Sequence, residues 1–371
     1  MHLGERVLRH GHPDTEFWRD RRILITGHTG FKGAWLALIL QRLGAKVTGL
    51  ALAPEGLSLF TQADIAVRID GHHIIDLRDS TAVDALVTSA RPEIVMHFAA
   101  QSLVRDAYRE PRRTFATNVL GTVNLLESLI RCDTVRTILT ATTDKVYLNL
   151  ETGRPFLETD PLGGIEPYSA SKAATEFVIS AYRPFFAGRA TLVVARAGNV
   201  IGGGDWSRDR LIPDAIRAVQ AGEPLHVRNP ASIRPWQFVI DALEGYLLLV
   251  EHAWKCELDI GAPSSGAWNF GPPIGLPLVT VEQICQWVQN KWPTQFAWKA
   301  VPDAEKIKES HLLALDPGRA QRELRWSPRL TPKEAVRETL EWYAGLLDGK
   351  DAYELCLRQI DEHFSTTRAA A

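Results

Sequence analysis

Short apolar, β-branched runs alternate with longer stretches whose apolar residues recur at helical spacing through the first two hundred positions. Arg22 to Thr26 (RILIT) reads as a buried strand, followed by a glycine-containing turn and an apolar helix through Leu43. Lys46 to Leu52, His73 to Asp76, Ile94 to Phe98, Thr137 to Thr142 and Thr191 to Ala195 read as five further strands. Helices are expected from Thr117 to Cys132 and from Tyr168 to Phe186. This order predicts an α/β fold: a doubly wound parallel (Rossmann) sheet covered by helices on both faces. Ligands of such sheets lie beyond the carboxyl ends of the strands.

After Phe186 the pattern changes. Arg196 to Asp209 is a polar, glycine-rich loop of the kind whose backbone meets ligands, and Leu211-Ile212-Pro213 opens a helix. His226 to Pro230 reads as a short strand and turn, Phe238 to Ala253 as an amphipathic helix, and Ala267 to Gly271 as a strand. Pro332 to Leu346 is helical, and the tail after Phe364 is expected to fray. Residues 1–195 are therefore expected to form a dinucleotide-binding domain, with a segment near 235–262 returning to it. Residues 196–371 would form a smaller, mixed α/β substrate-binding domain, with the site in the cleft between the two.

Composition narrows the partners. A formal net charge of -2 over 371 residues gives no footprint for nucleic acid or an anionic membrane surface. No apolar run reaches the length of a membrane span, and Met1 to Asp20 lacks the apolar core of a signal peptide. Cys132, Cys256, Cys285 and Cys356 have no CxxC spacing, so they read as reduced thiols of a cytoplasmic protein, with no metal site. Trp206, Trp236 and Trp268 sit among polar residues, which suits pocket walls as well as core filling.

Gly27, Gly30 and Gly33 follow GxxGxxG, one residue wider than the standard dinucleotide fingerprint, with Thr29, Phe31 and Lys32 between them. A tight turn, close backbone approach and helix N–H groups are what a pyrophosphate needs there. A plain βα turn is the competing reading. Ala53 and Pro54 follow the second strand where an acid would select NAD, but no arginine cluster awaits a 2′-phosphate, so NAD is favoured. Asp76 and Leu77 are placed to meet the adenine, and the small Ala99-Ala100-Gln101 turn lets backbone pass close to the cofactor. The fifth strand ends in Thr142-Thr143-Asp144-Lys145, which sets a hydroxyl, a carboxylate and an ammonium at the reactive end. Tyr168 and Lys172 lie one helical turn apart. An ammonium beside the phenol would draw its pKa from about 10 toward neutrality, making it a base for a hydroxyl. An ordinary helical pair and a strand-end turn are the competing readings.

With these motifs in place, the chain resembles the extended short-chain dehydrogenase/reductases, and among them the nucleotide-sugar 4,6-dehydratases. The resemblance also rests on Asn118 in NVLGT, on Arg196 to Trp206 (RAGNVIGGGDW) and on Arg234-Pro235-Trp236-Gln237. Most members carry Thr-Asp-Glu on the fifth strand. Lys145 in place of the glutamate, with GHTGFKG and GGGDW, is similar to the branch acting on CDP-glucose. The resemblance implies NAD as cofactor, with Asn118 among its ligands. It implies Tyr168 as base at O4, Lys172 tuning it, Thr143 at O4 and Asp144 as acid at O6. Lys145 would be the C5 base or would only orient the sugar. Arg234 suits a diphosphate because its fork binds two oxygens. Asn199 and Arg228 are candidate diphosphate or base ligands, and Ser102, Arg208, Leu211 and Pro213 complete the substrate side. A homodimer, or a dimer of dimers, is implied through the helices from Thr117 and Tyr168. A 4-epimerase, a dehydratase of another nucleotide sugar and a non-catalytic NAD sensor are the rivals. Asp144 favours dehydration, since epimerisation needs no acid beside Thr143.

Overall fold

The computed structural model describes residues 11–150, 153–255, 266–276, 279–301 and 313–365. Seven parallel strands form the central sheet: β1 (Arg22–Thr26), β2 (Lys46–Ala51), β3 (Gly71–Ile74), β4 (Ile94–His97), β5 (Thr137–Ala141), β6 (Thr191–Ala197) and β7 (Ala267–Phe270). Their spatial order is β7-β6-β5-β4-β1-β2-β3. The order reverses between β1 and β4, where Thr26 pairs with His97, and a crevice opens at their carboxyl ends.

Side-chain alternation along the strands builds two cores. Ile23 and Ile25 of β1 join one, packed beneath α1 (Phe31–Arg42), while Leu24 points into the other. That second core is closed by α2 (Ser80–Ala90), α3 (Gly121–Ile130) and α4 (Pro167–Phe186) through Val83, Leu125, Leu129 and Ile179. β3 begins two residues before the expected His73, because Thr48 of β2 pairs with Gly71. Asp76 and Leu77 therefore lie past its end rather than on it. The expected helix from Thr117 is continuous with an earlier one, Pro111–Phe115, through a π-helical turn at Ala116–Leu120.

The second lobe contains α5 (Leu211–Ala221), α7 (Val281–Lys291) and a parallel strand pair, Leu225–Val227 with Trp298–Ala300. Between α5 and α7 the chain returns to the sheet. There α6 (Val239–Lys255) packs on β5, β6 and α1, and it is buried around nearly its whole circumference rather than amphipathic. β7 then pairs with β6, so the sheet takes in residues well beyond position 195. The last helices, α8 (Pro332–Leu347) and α9 (Ala352–Ser365), bring the chain back beside α1, and the tail expected to fray lies, beyond Ser365, outside the described residues. Trp268 is core, fully buried, whereas Trp236 faces the cleft. Cys132, Cys285 and Cys356 are buried free thiols, and Cys256 lies outside the described residues. No described helix is long and apolar enough to cross a membrane.

Candidate active site

The glycine turn sits in the crevice where the strand order reverses. Gly27 has φ +81°, and a Cβ there would lie 2.7 Å from the Ala99 nitrogen. A Cβ at Gly33 would lie 2.1 Å from the Gly27 carbonyl oxygen, so glycine alone lets α1 start this close to β1. Gly30 caps α1 with no side chain, which leaves helix N–H groups to face the crevice. This cradle, shaped by missing Cβ atoms, fits the pyrophosphate of a dinucleotide. Thr29 is tied by its hydroxyl to the Leu52 carbonyl at 2.9 Å.

Other candidate cofactor ligands turn out to be engaged within the protein. The Arg78 Nε donates to both Asp76 oxygens at 3.0 Å and holds that carboxyl below its usual range. Leu77 is buried against Gly121. Asn118 accepts from the Gln101 nitrogen at 2.7 Å and donates to the Gln101 carbonyl and to Ser171 Oγ. Its side chain thus braces the Ala99–Gln101 turn against α4.

The reacting side chains come together from two elements. Past β5, Thr143 opens a single 3-10 turn over Asp144–Val146, its oxygen accepting from the Lys145 nitrogen at 3.3 Å. α4 begins at Pro167, and Glu166 caps it by accepting from the Tyr168 and Ser169 nitrogens, both at 2.7 Å. Tyr168 and Lys172 thereby join the turn in lining a cavity of about 350 Å³. Thr143, Asp144 and Lys145 line it, with Phe31, Lys32, Ala100 and Ser102 on the sheet side. Asn199, Leu211, Pro213, Arg228 and Arg234 line it from the second lobe. Gly27, Thr29, Gly30, Gly33, Asp76, Leu77, Ala99, Gln101 and Asn118 lie outside this lining.

Electrostatics differentiate these groups. Asp144 is almost wholly buried, and burial raises its pKa against the opposing pull of Lys145, Thr143 and Arg234. Its Oδ1 accepts from the Thr143 hydroxyl at 2.9 Å, while Oδ2 has no partner. Burial of this kind favours the protonated carboxyl, the form that can donate. Burial pushes the Tyr168 phenol up to about 12, offset in part by its hydrogen bond with Thr143 and by Arg210. This departs from the expected tuning by Lys172. The Lys172 ammonium donates instead to the Ala141 carbonyl at 3.0 Å, and burial lowers it to about 8 against the carboxylate of Glu176. Lys32, which lines the cavity, is lowered to about 7 by burial and by Lys172 and Arg210.

Arg208 is exposed and outside the cavity, whereas Arg105 and Arg210 line it. The start of α5 at Leu211 decides which arginine turns inward, and two arginines spaced by one residue do not reveal that start. Asp209, at φ +59°, joins the lobes through ion pairs to Arg105 at 3.6 Å and Arg228 at 3.5 Å.

Residues 24–339 match the family model described as GDP-mannose 4,6 dehydratase. A CDP-glucose 4,6-dehydratase of Salmonella typhimurium is 39% identical over 363 residues, covering 95% of this chain and 99% of that protein. Among solved structures, an epimerase of Methanothermobacter thermautotrophicus superposes with a TM-score of 0.76 at 20% identity, covering 90% of this chain and 95% of that one. A dTDP-glucose 4,6-dehydratase of Bacillus anthracis in complex with NAD gives 0.72 at 20% identity, covering 91% and 99%. Epimerases and dehydratases share the fold at this distance, so the fold alone does not separate them. The match along most of the chain, together with 39% identity to a dehydratase over nearly its whole length, places this protein in the GDP-mannose 4,6 dehydratase family.

Proposed function

We propose that the chain is a CDP-glucose 4,6-dehydratase that works with resident NAD, in the cytoplasm, and yields CDP-4-keto-6-deoxyglucose. The observation that carries the elimination is Asp144, a buried carboxyl of the cavity lining with one oxygen on Thr143 and the other without a hydrogen-bond partner. An epimerase has no use for an acid at that position. The 39% identity to the Salmonella enzyme supports CDP-glucose as substrate.

Gly27, Thr29, Gly30, Phe31, Lys32 and Gly33 would hold the pyrophosphate of NAD. Asp76 and Leu77 would meet its adenine, Ala99, Ala100 and Gln101 its middle, and Tyr168 and Lys172 its nicotinamide ribose. Bound there, NAD supplies a hydride acceptor for C4, a hydride donor for C6 and a positive ring that favours the Tyr168 phenolate. Tyr168 takes the O4 proton, and Thr143 hydrogen-bonds the same oxygen as it becomes a ketone. The ketone acidifies C5–H; Lys145 would remove that proton and return one to C5 as C6 is reduced, or would only orient the sugar. Asp144 protonates the departing C6 hydroxyl, which leaves as water. Arg228, Arg234 and Asn199 bind the nucleotide diphosphate, with Ser102, Leu211 and Pro213 beside them.

Phe177 and Phe185 on α4 are 55% and 64% exposed, and Leu120 is 59% exposed. This apolar stripe on α4, with Leu120 ahead of α3, suits a second copy of the chain, and a homodimer follows.

The test is incubation of the NAD-loaded protein with CDP-, dTDP-, UDP- and GDP-hexoses, with products read by mass spectrometry. Loss of one water from CDP-glucose without net NADH is expected. Unchanged mass with inverted C4 would make the chain an epimerase, and turnover of another nucleotide sugar would reassign the base.

A further inference from the structure

The turn bearing Thr143, Asp144 and Lys145 is anchored at both ends to Glu176 and Arg196, which lie outside the cavity lining. Upstream, Thr142 donates its hydroxyl to Glu176 Oε1 at 2.6 Å. Downstream, the Tyr147 hydroxyl accepts from Arg196 Nη1 at 2.8 Å and donates to Asn269 Oδ1 at 2.6 Å. The Arg196 guanidinium also lies 4.8 Å above the Tyr147 ring. The two grips are one unit, because Arg196 Nε donates to both Glu176 oxygens at 3.0 and 3.1 Å. Arg196 Nη1 further reaches the Glu158 carbonyl at 3.1 Å. Thr142, Tyr147, Glu176 and Arg196 are all buried.

A buried ion pair adds little net stability over well-packed apolar residues, so stability alone does not account for this one. Its geometry does something else. Glu176 stands on α4 four residues past Lys172, and Arg196 stands on β6, so the pair references the turn to the helix that carries Tyr168. Resting on the dehydratase reading, we propose that Glu176 and Arg196 are positioning residues, a clamp that fixes Thr143, Asp144 and Lys145 relative to Tyr168 and Lys172. The same carboxylate supports the charge on Lys172 against burial.

Arg196→Lys tests the clamp, since lysine keeps the charge for Glu176 but lacks the fork that also reaches Tyr147 and Glu158. The expected result is a kcat lower by about 10- to 100-fold, with KM for CDP-glucose and Kd for NAD within about threefold of the parent. Amide hydrogen exchange should quicken across residues 142–147 and stay unchanged in α4. Glu176→Gln/Arg196→Gln removes both charges together and serves if the single variant does not fold. It should lose kcat likewise, and its alkaline limb should move to lower pH, because Lys172 without the carboxylate gives up its proton sooner. A folded variant with parental kcat and parental exchange overturns the proposal. So does an equal loss of kcat, ligand affinity and thermal stability, the mark of a merely structural pair. If the parent turns over no nucleotide sugar, the dehydratase reading fails, and exchange across 142–147 still decides the clamp.

Discussion

Thr143 donates its hydroxyl to Asp144 at 2.9 Å, leaving the second carboxyl oxygen of Asp144 buried and unpartnered. Burial raises the Asp144 pKa, which favours the protonated carboxyl that a general acid needs. Asp144→Asn keeps an oxygen for Thr143 and removes the acidic proton. Loss of water from C6 should slow by about 10²- to 10⁴-fold, while C4 oxidation persists. Single-turnover absorbance should show NADH rising and failing to fall. Parental product formation would remove Asp144 from the acid role.

Lys145 lines the cavity beside Asp144. If it takes the C5 proton, Lys145→Ala should abolish solvent deuterium incorporation at C5 and leave C4 oxidation measurable. Mass spectrometry of recovered substrate and product reads this directly. Undiminished exchange would reduce Lys145 to orienting the sugar.

How far the sequence showed this site depends on the range of each interaction. Strand, glycine turn and helix start are local, so Arg22–Thr26, the Gly27–Gly33 turn and the Tyr168 helix were legible within a residue or two. The tuning of Tyr168 was not. Four-residue spacing puts Lys172 on the same face, but the nearby Ala141 carbonyl on β5 draws its ammonium away. Arg196 read as the first residue of a loop. β6 in fact runs to Ala197, which turns Arg196 into a buried partner for a glutamate twenty positions earlier. Asp76 read as an adenine contact; Arg78, two residues on, ties its carboxylate, and the adenine role stays part of the proposal. For Tyr168 and Arg196 a tertiary partner, unseen in a linear reading, decided the outcome.

The exposed stripe on α4 makes its own claim. Phe177 and Phe185 are eight residues apart on one helical face, and neither supports the core. Phe177→Asp/Phe185→Asp should leave the fold intact and convert the dimer to a monomer, as measured by light scattering. A monomeric parent, or a double variant that stays dimeric, would rule out this face as the interface.

A second buried charge cluster governs stability rather than chemistry. Glu244 on α6 accepts from Arg329 Nη2 at 2.7 Å and Nε at 3.1 Å, and lies 3.2 Å from His363 on α9. Asp241, one turn earlier, accepts from the Arg329 nitrogen at 2.6 Å. Burial would raise the Glu244 pKa, but His363 and Arg329 outweigh it and hold the group at about 2, below its ordinary 4.5. A depressed carboxyl contributes stability that is fully present above its unfolded value and is lost as pH falls through the folded one. Asp241 runs the other way: burial raises it to about 6, so its contribution is present below its ordinary 3.8 and fades as pH rises through 6. Glu244→Gln leaves the buried Arg329 guanidinium without its counter-charge, at a cost of roughly 3–5 kcal/mol near neutral pH. That gap should hold down to about pH 4.5 and narrow below it, as the parent's own Glu244 takes up a proton and Arg329 loses its partner there too. Asp241 is raised in part by the Glu244 charge, so its opposing contribution is smaller in the variant and reduces the narrowing without removing it. Urea midpoints measured near neutrality and at about pH 3 check the sign. A gap that does not change with pH would mean that Glu244 acts through packing and not through its charge.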